Sequence, residues 1–439
     1  MILVYEFPPY ISVAGQRPNS WFKYFKENNI EPIIITRKWD NSYNNELDYV
    51  APSKSKYTEI ENINLGTILK APYKPNLANK ILLKYGNQKF KYLRKIISAY
   101  YEFIQFILPI GPKIEIYNSA NKFLKYNKVD MILASGDPFV LFHYASKLSK
   151  KHEIPWVADY RDPWSHDSSK KNILLKIWSS YYEKKIVNTS TCIITVSEFI
   201  KAQISELTTK KIYVIPNGYE SEFIERAKKI KQTNKCLSIA LAGTIYDWNP
   251  IEGFLFTVNE FVKKGDALLI NFYGINKTDE INNLISSKFP SIKNHVKIHT
   301  KLPYENLLEK LAENNLLLLF NYYSYMGTKI YDYIGLERKI LLCFSNDDES
   351  KELKKKYYSI KDNKNISNIL QEDLIQKTNS GIILKDKDDL FQKLLELELE
   401  FKKNKMINCN TINSEDYSRK GQVEKISNIL KYTFEKQNS

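Results

Sequence analysis

The 439-residue sequence has few cysteines, few histidines and no long apolar run. Its four cysteines (Cys192, Cys236, Cys343, Cys409) are far apart without a CxxC pair, and its five histidines form no HxH or HExxH pattern. A zinc site and a disulfide framework are therefore not expected, and a reducing cytoplasm is the natural compartment. The N terminus lacks the features of a signal peptide, and no apolar stretch is long enough to predict a transmembrane helix.

The composition is that of a soluble globular protein, with 43% apolar and 26% charged residues. The length favours two domains. Lysine and arginine number 65 against 50 acidic residues, a net charge of +15. Such a surface should attract phosphates, acidic glycans or anionic lipid head groups.

Short apolar runs alternate with longer helical patterns along the chain. This alternation is typical of parallel sheets covered by helices on both faces. The twelve runs are 2–5, 32–36, 130–135, 155–159, 192–196, 212–216, 237–243, 268–274, 296–299, 316–320, 339–344 and 381–384. A polar, charged stretch at 217–236 divides them evenly. We therefore expect two doubly wound α/β domains, residues 1–220 and 236–414.

Residues 70–128 do not follow this alternation of apolar runs and helical patterns. They predict a basic helical insertion in the first domain. Twelve basic and two acidic residues give this segment a net charge of +10, and aromatic residues such as Phe90 and Tyr100 lie among them. The pattern suits an anionic membrane surface. The alternative is a pair of solvated helices that cover the first sheet with their aromatic residues. Nucleic acid is not expected as a partner, because no recognised binding module accompanies the charge.

The string DYRDPW directly follows an apolar run, and the run before it ends in SGDP. Ligands of doubly wound sheets bind at the carboxyl ends of the strands, where both strings are expected. Arg161 offers a planar guanidinium suited to a diphosphate, and Asp162 could orient it or accept a hydroxyl. The structural alternative is that Asp159, Arg161 and Asp162 only stiffen the loop. Gly136 and Asp137 of SGDP would lie on a neighbouring loop.

The string NYYSYMGTKIYDYIG connects a buried run to a predicted helix. That helix should begin near Thr328 to Ile330, where Lys329 and the free N–H groups would form an anion site. Asp332, one turn into the helix, could accept hydrogen bonds from the two hydroxyls of a ribose. The alternative is an ordinary capped helix with a solvated Lys329 and Asp332.

Seven strings in shared order resemble the retaining nucleotide-sugar glycosyltransferases of family 4. They are EFPPYISVAGQRPNSWFKYF with Gly15 and Arg17, DYRDPW, TVSEFI, IPNG, GTIY with Gly243 and Thr244, GTKIYDYIG, and a terminal YSR. The resemblance covers nearly the whole chain. It is closest to the branch found in bacterial surface-polysaccharide pathways.

The resemblance implies the GT-B architecture, in which two Rossmann-like domains face a central cleft and a C-terminal helix, here 415–439, crosses back to the first domain. It also implies transfer of a sugar from a nucleotide diphosphate to a hydroxyl of a glycan acceptor with retained configuration. The acceptor is expected to be lipid-linked.

The resemblance also implies the site residues, of which Arg161 and Asp162 would be catalytic. The remaining site residues would be Gly15, Arg17, Gly136, Asp137 and Asp159 on the acceptor side, and Gly243, Thr244, Lys329 and Asp332 on the donor side. No metal and no other cofactor is expected, because N–H groups and basic side chains neutralise the diphosphate. We expect a cytoplasmic enzyme bound peripherally to the inner face of the plasma membrane.

Two features depart from the family pattern. Asp332 replaces the second glutamate of the E-x7-E pair and Ser324 stands at the first, and the arginine often found after GTIY is missing. An inactive GT-B scaffold that serves as a binding or assembly partner is therefore the alternative function. A GT-B nucleotide-sugar epimerase is a third candidate, but its catalytic carboxylates and histidines cannot be placed in this sequence.

Overall fold

A computed structural model of the protein describes residues 1–10, 12–40, 46–166, 173–358 and 366–438. The chain divides into two compact units. The first unit comprises residues 1–216 and 422–439, and the second unit comprises residues 217–421. The chain therefore leaves the first unit after Pro216 and returns to it at Gln422.

The first unit is built on one eight-stranded sheet. Its strands are β1 (Ile2–Leu3), β2 (Ile33–Arg37), β3 (Glu59–Ile63), β4 (Gly66–Ala71), β5 (Ile132–Gly136), β6 (Trp156–Tyr160), β7 (Cys192–Thr195) and β8 (Ile212–Val214). The strand order is β3-β4-β2-β1-β5-β6-β7-β8. Only the β3–β4 pair is antiparallel among these described strands. Every residue of β5 and β6 is buried, as expected for central strands covered on both faces.

Eight helices in the described residues between 13 and 205 accompany this sheet. They are α1 (Val13–Tyr24), α2 (Glu46–Val50), α3 (Leu77–Tyr85), α4 (Lys91–Ile104), α5 (Ile114–Leu124), α6 (Val140–His152), α7 (Ile173–Val187) and α8 (Glu198–Ser205). Ser12 caps α1 by accepting a hydrogen bond from the N–H of Gly15 at 2.9 Å. Helix α1 therefore begins directly after the loop that follows β1.

The second unit contains a six-stranded parallel sheet. Its strands are β9 (Leu237–Ala242), β10 (Leu268–Tyr273), β11 (Val296–His299), β12 (Leu316–Phe320), β13 (Lys339–Cys343) and β14 (Gly381–Ile383). They lie in the order β11-β10-β9-β12-β13-β14. Its helices are α9 (Ser221–Ala227), α10 (Ile251–Lys263), α11 (Thr278–Ser287), α12 (Tyr304–Ala312), α13 (Lys329–Leu336), α14 (Asp348–Tyr357), α15 (Leu370–Thr378) and α16 (Lys387–Asn404). The last helix, α17 (Arg419–Asn438), lies in the first unit from Gln422 onwards. Short 3-10 segments occur at Lys26–Asn28, Pro290–Ile292 and Ser414–Tyr417.

Strand β9 divides its side chains between two cores. Leu237, Ile239 and Leu241 belong to one apolar cluster, with residues of α10 and α16. Ala240 and Ala242 belong to a second cluster, with residues of α12 and α13. Successive side chains of a strand point to opposite faces, so both faces of this sheet are covered by helices.

Helix α17 begins in the second unit and packs for most of its length on the first unit. Val423, Ile426 and Leu430 lie on one face of the helix and join the apolar cluster of the first sheet. That cluster also contains Cys192 and Ile194 of β7. This helix thus contributes to the core of the first unit.

The predicted α/β fold with two parallel-sheet, Rossmann-like domains is confirmed. The prediction missed β3 and β4. All five residues of β3 are exposed, and this strand pairs at the edge of the sheet, so the sequence EIENI gives no buried run.

The basic insertion at 70–128 contains α3, α4 and α5, but Lys70 still belongs to β4. The stretch 217–236 is not only a linker, because it contains α9 with the buried residues Ile224 and Ala227. Among the described helices, none is both long and apolar enough to cross a bilayer.

Candidate active site

Lys329, the first residue of α13, places its ammonium over the loop that follows β9. Its Nζ atom donates a hydrogen bond of 3.0 Å to the carbonyl oxygen of Thr244. A Cβ atom built on Gly243 would lie 3.4 Å from the same Nζ atom. Gly243 has a φ of +75°, in the left-handed region that favours glycine. The main chain therefore passes directly beside the ammonium at the carboxyl end of β9.

The electrostatic environment of Lys329 suits an anion. Burial lowers the pKa of its ammonium to about 8, so the group is still mostly protonated at pH 7. The Thr328 side chain does not cap α13, although the N–H of Tyr331 donates a hydrogen bond of 3.2 Å to the Thr328 carbonyl oxygen. An uncapped helix N terminus with an adjacent lysine is a favourable place for a phosphate.

Asp332 lies three residues further along α13 and is paired with a tyrosine that the sequence did not indicate. The hydroxyl of Tyr304 donates a hydrogen bond of 2.5 Å to Oδ1 of Asp332. Burial raises the pKa of Asp332 to about 6, although Arg419 and the Tyr304 hydroxyl both act to lower it. A carboxylate can accept more than one donor, so the bond to Tyr304 leaves room for a ligand hydroxyl.

An aromatic cluster lies beside the loop after β9 that Lys329 contacts. Tyr246 and Trp248 stack with ring centroids 4.5 Å apart, and Tyr322 meets the Tyr246 ring edge-on at 5.3 Å. A Cβ atom on Gly327 would lie 3.6 Å from the Tyr322 ring. Sequence analysis did not identify this cluster. Tyr246 and Trp248 lie in a turn that is closed by a hydrogen bond from the N–H of Asn249 to the Tyr246 carbonyl oxygen at 2.9 Å, and the sequence pattern GTIYDWN gives little sign of it.

In the first unit, Arg161 is bonded to the main chain at two places, the start of α1 and the end of β5. Its Nε, Nη1 and Nη2 atoms donate to the carbonyl oxygens of Gly136, Ala14 and Asp137, each at 2.7 Å. These carbonyls follow β1 and β5, which neighbour each other in the sheet, and Arg161 itself follows β6. These bonds hold the guanidinium against the main chain, which suits a positioning role for Arg161.

Arg17 and Asp159 form a buried ion pair in the first unit. The Nε and Nη2 atoms of Arg17 donate to Oδ1 of Asp159 at 3.0 and 2.9 Å, and Ser135 donates to Oδ2 at 2.9 Å. Asp159 is completely buried, and Arg17 is 6% exposed. The Nη1 atom of Arg17 donates to the carbonyls of Ile215 and Pro216. Neither side chain is accessible to a substrate.

The remaining predicted residues lie near Arg161. Gly15 is buried in the first turn of α1, and Gly136 is buried at the end of β5. Asp137 and Asp162 are exposed on the loops that follow β5 and β6. The structure thus gathers the first-unit residues at one edge of its sheet and the second-unit residues around Lys329. In the part of the chain that the structure describes, no group of three His, Cys, Asp or Glu residues could hold a metal ion.

A family model matches slightly less than half of the chain, mostly within the first unit. Residues 22–223 match the model of Glycosyltransferase Family 4. No curated protein matches the chain by sequence.

Several solved structures share the fold over nearly the whole chain. Sucrose-phosphate synthase from Thermosynechococcus elongatus has a TM-score of 0.54 at 11% identity, covering 100% of this chain and 97% of its own. Anabaena Alr3699/HepE, solved with UDP and glucose, has a TM-score of 0.54 at 10% identity, with 98% and 99% covered. The catalytic domain of Starch Synthase IV from Arabidopsis thaliana, bound to ADP and acarbose, has a TM-score of 0.53 at 11% identity, with 99% and 98% covered. At these identities the likeness shows the fold, which is GT-B. The family 4 domain, together with this fold, supports a glycosyltransferase.

Proposed function

We propose that the protein transfers a sugar from a nucleotide-diphosphate donor to a hydroxyl of a glycan acceptor, with retention of anomeric configuration. One observation carries the proposal: the Lys329 ammonium lies over the Gly243–Thr244 turn, at the carboxyl end of β9. The ammonium of Lys329 and the uncapped N terminus of α13 lie together there, beside a glycine whose missing side chain lets a ligand approach the main chain. Together these features fit a diphosphate.

The donor would bind on the second unit. Lys329 and the first N–H groups of α13 would neutralise the diphosphate, while Gly243 and Thr244 would allow its close approach. Asp332 would accept hydrogen bonds from ribose hydroxyls, with Tyr304 fixing the carboxylate from the other side. No metal is expected for this reaction. The structurally similar proteins solved with UDP or ADP support a nucleotide donor of this kind.

The chemistry would need no separate base from the protein. The bond between the anomeric carbon and the diphosphate oxygen breaks, and a new bond forms from that carbon to the acceptor oxygen on the same face. The acceptor's proton passes to the departing diphosphate oxygen. Lys329 would stabilise the charge that develops on this leaving group, which is usually a dominant contribution to catalysis. Arg161 would hold the acceptor-side loops, and Asp162 would orient an acceptor hydroxyl.

The acceptor would be lipid-linked and would bind the first unit, at an anionic membrane surface. None of the residues of α4 is buried, and Tyr92, Ile96 and Tyr100 are 82%, 68% and 52% exposed. Helix α7 presents Ile173 and Leu174, which are 73% and 74% exposed. Lysine and arginine residues lie among these apolar side chains on α4. This combination is typical of helices that lie in a membrane interface.

We place this reaction in the synthesis of a bacterial surface polysaccharide, at the cytoplasmic face of the plasma membrane. The support is the order of the sequence strings and the exposed basic, apolar surface of α4. The protein would be peripheral, and anionic lipid would hold it near its acceptor.

A donor screen tests the proposed function. The protein is incubated with UDP-, GDP-, ADP- and TDP-sugars and a mixture of prenyl-linked glycans, and products are identified by mass spectrometry. Transfer from one donor, lost in Lys329→Ala, is the expected result, and NMR of the product should show the donor's anomeric configuration. Nucleotide binding without transfer to any acceptor would instead favour the inactive scaffold.

A further inference from the structure

A cavity of about 680 Å³ in the first unit is surrounded by lysines. It lies at the carboxyl end of β4, between the segment before β3 and helix α3. Lys56, Lys74, Lys80 and Lys84 line it, and none of its described lining residues is acidic. Because β4 runs parallel to β2, and β2 to β1, this cavity opens on the same edge of the sheet as the Arg161 loops.

Hydrogen bonds around Tyr73 hold the floor of the cavity in place. Tyr73 is 4% exposed, and its N–H donates to Oγ of Ser53 at 2.9 Å, while the N–H of Ser53 donates to the Tyr73 carbonyl at 3.2 Å. The Nδ2 atom of Asn79 on α3 donates to the Tyr73 hydroxyl at 2.7 Å. These bonds fix α3 against the segment after β4. The lysines of α3 are therefore presented from a fixed helix.

The positive charge of this cavity is largely uncompensated. Lys74 pairs with Glu115 at 2.6 Å. In the described residues, Lys56, Lys80 and Lys84 have no carboxylate within ion-pairing distance. Like charges gathered around one cavity repel each other, and a bound anion relieves that repulsion.

A neighbouring cavity provides the contrast. It measures about 560 Å³ and is lined by four cations together with Asp40, Asp48 and Glu59. Lys38 and Glu59 form an ion pair there. Its charges are thus largely balanced from within. Of these two cavities, the lysine cavity has the larger excess of positive charge, which a bound anion would neutralise.

The walls of the lysine cavity are apolar as well as basic. Pro52, Pro72 and Leu83 contribute to the lining. The same helix α3 carries Leu77 and Tyr85 with 53% and 42% of their surface exposed. An anion with an attached apolar chain satisfies both features, because the charge meets the lysines while the chain follows the apolar side chains of α3.

We propose that this lysine cavity binds the phosphate or diphosphate group of an amphiphile. Its role as the binding site for the charged end of a membrane-held acceptor rests on the proposed function. The occupant is a phosphorylated amphiphile, and free diphosphate and ordinary phospholipid head groups share its anionic chemistry. The binding site itself is independent of the donor site on the second unit.

Calorimetry on the full chain tests the cavity with four soluble probes. These are farnesyl diphosphate below its micelle concentration, farnesol, inorganic diphosphate and dihexanoyl phosphatidic acid. Farnesyl diphosphate should bind most tightly, and its affinity should fall with salt, since exposed charges are screened. The variant Lys80→Ala/Lys84→Ala should weaken it by about tenfold or more. All four lysines of the cavity are exposed, so these substitutions should not disturb folding.

A matched control and separate readouts complete the experiment. Lys150→Ala/Lys151→Ala removes two exposed lysines from the end of α6 and should leave the affinity unchanged. UDP affinity should be equal in all variants, so loss of the cavity site is distinguishable from failure of the donor site. The proposal is overturned if the Lys80/Lys84 variant binds farnesyl diphosphate normally. It is also overturned if farnesol or free diphosphate binds as tightly, and equally tight binding of phosphatidic acid would overturn the assignment of the cavity to the acceptor in favour of a phospholipid head group.

Discussion

The Nη1 atom of Arg161 donates a hydrogen bond of 2.7 Å to the carbonyl oxygen of Ala14, a residue 147 positions earlier in the chain. The other two donors of the guanidinium hold the carbonyls of Gly136 and Asp137. One side chain thus joins the loops that follow three adjacent strands. Catalysis requires such loops to be held in place, because misplacement of reacting groups slows a reaction strongly.

Arg161→Ala should lower turnover by about 100-fold or more, corresponding to roughly 2.7 kcal/mol of transition-state stabilisation. Arg161→Lys should not rescue it, because a lysine ammonium cannot reproduce the planar arrangement of three donors. Nucleotide affinity should change little, since the proposed donor site lies on the second unit. Steady-state kinetics and calorimetry measure the two effects.

These measurements distinguish a positioning role of Arg161 from a simple loss of folded structure. If Arg161→Ala folds normally by circular dichroism and keeps near wild-type turnover, the loop-holding role is wrong. If nucleotide affinity falls as much as turnover, Arg161 acts on the donor, as the sequence suggested.

Asp159→Asn should strongly destabilise the first unit. The substitution leaves the buried Arg17 guanidinium without its counter-charge. Breaking a buried ion pair by removing one partner costs about 3–5 kcal/mol. Urea unfolding of the first unit, followed by tryptophan fluorescence, should show this loss, whereas Asp162→Asn on the exposed loop should lie within about 0.5 kcal/mol of wild type. A stability of Asp159→Asn close to wild type would contradict the buried pair.

Asp332→Asn should improve the stability of the unliganded protein more at pH 8 than at pH 4.5. The pKa of Asp332 is raised to about 6 from an ordinary value of 3.8, so the folded state favours the neutral acid. Its contribution to stability is present below pH 3.8 and is lost as the pH rises through 6. Thermal unfolding of wild type and variant at both pH values measures this difference.

The same variant distinguishes a ligand role from a structural one. Asparagine can still accept the Tyr304 hydrogen bond but has no charge, so nucleotide affinity should fall even though the fold is more stable. Wild-type affinity in Asp332→Asn would show that this carboxylate does not bind the ribose.

Ile96→Glu/Tyr100→Glu should reduce sedimentation with vesicles that contain phosphatidylglycerol. Both side chains are exposed on α4, and acidic residues there are repelled by anionic lipid. Leu399→Glu on α16 is a control, because Leu399 is 68% exposed, as is Ile96. Wild-type binding should weaken with salt. Equal sedimentation of the wild type with neutral and anionic vesicles would rule out the membrane surface.

The sequence predicted the parts of the molecule that depend on local pattern. The apolar runs located twelve strands. The strings GTIY and GTKIYDYIG located Gly243 and Lys329, which meet in the structure. Pairings across long separations were not predictable from the sequence. Arg17 with Asp159 and Tyr304 with Asp332 depend on which strands and helices become neighbours. Likewise, each nitrogen atom of the Arg161 guanidinium donates to a main-chain carbonyl, and no local pattern reveals these partners.

The most direct test of the account is calorimetric titration of UDP, GDP and ADP into the wild type and Lys329→Ala at pH 7. Loss of a charge-assisted contact of about 1.5–3 kcal/mol should weaken the preferred nucleotide by roughly 10- to 150-fold. Because the pKa of Lys329 is lowered to about 8, wild-type affinity should also fall between pH 7 and 9, and Lys329→Arg should keep its affinity over that range. Lys310→Ala, at an exposed lysine of α12, should behave as wild type. Equal affinity in Lys329→Ala, or no binding of any nucleotide diphosphate by the wild type, would contradict the proposed donor site.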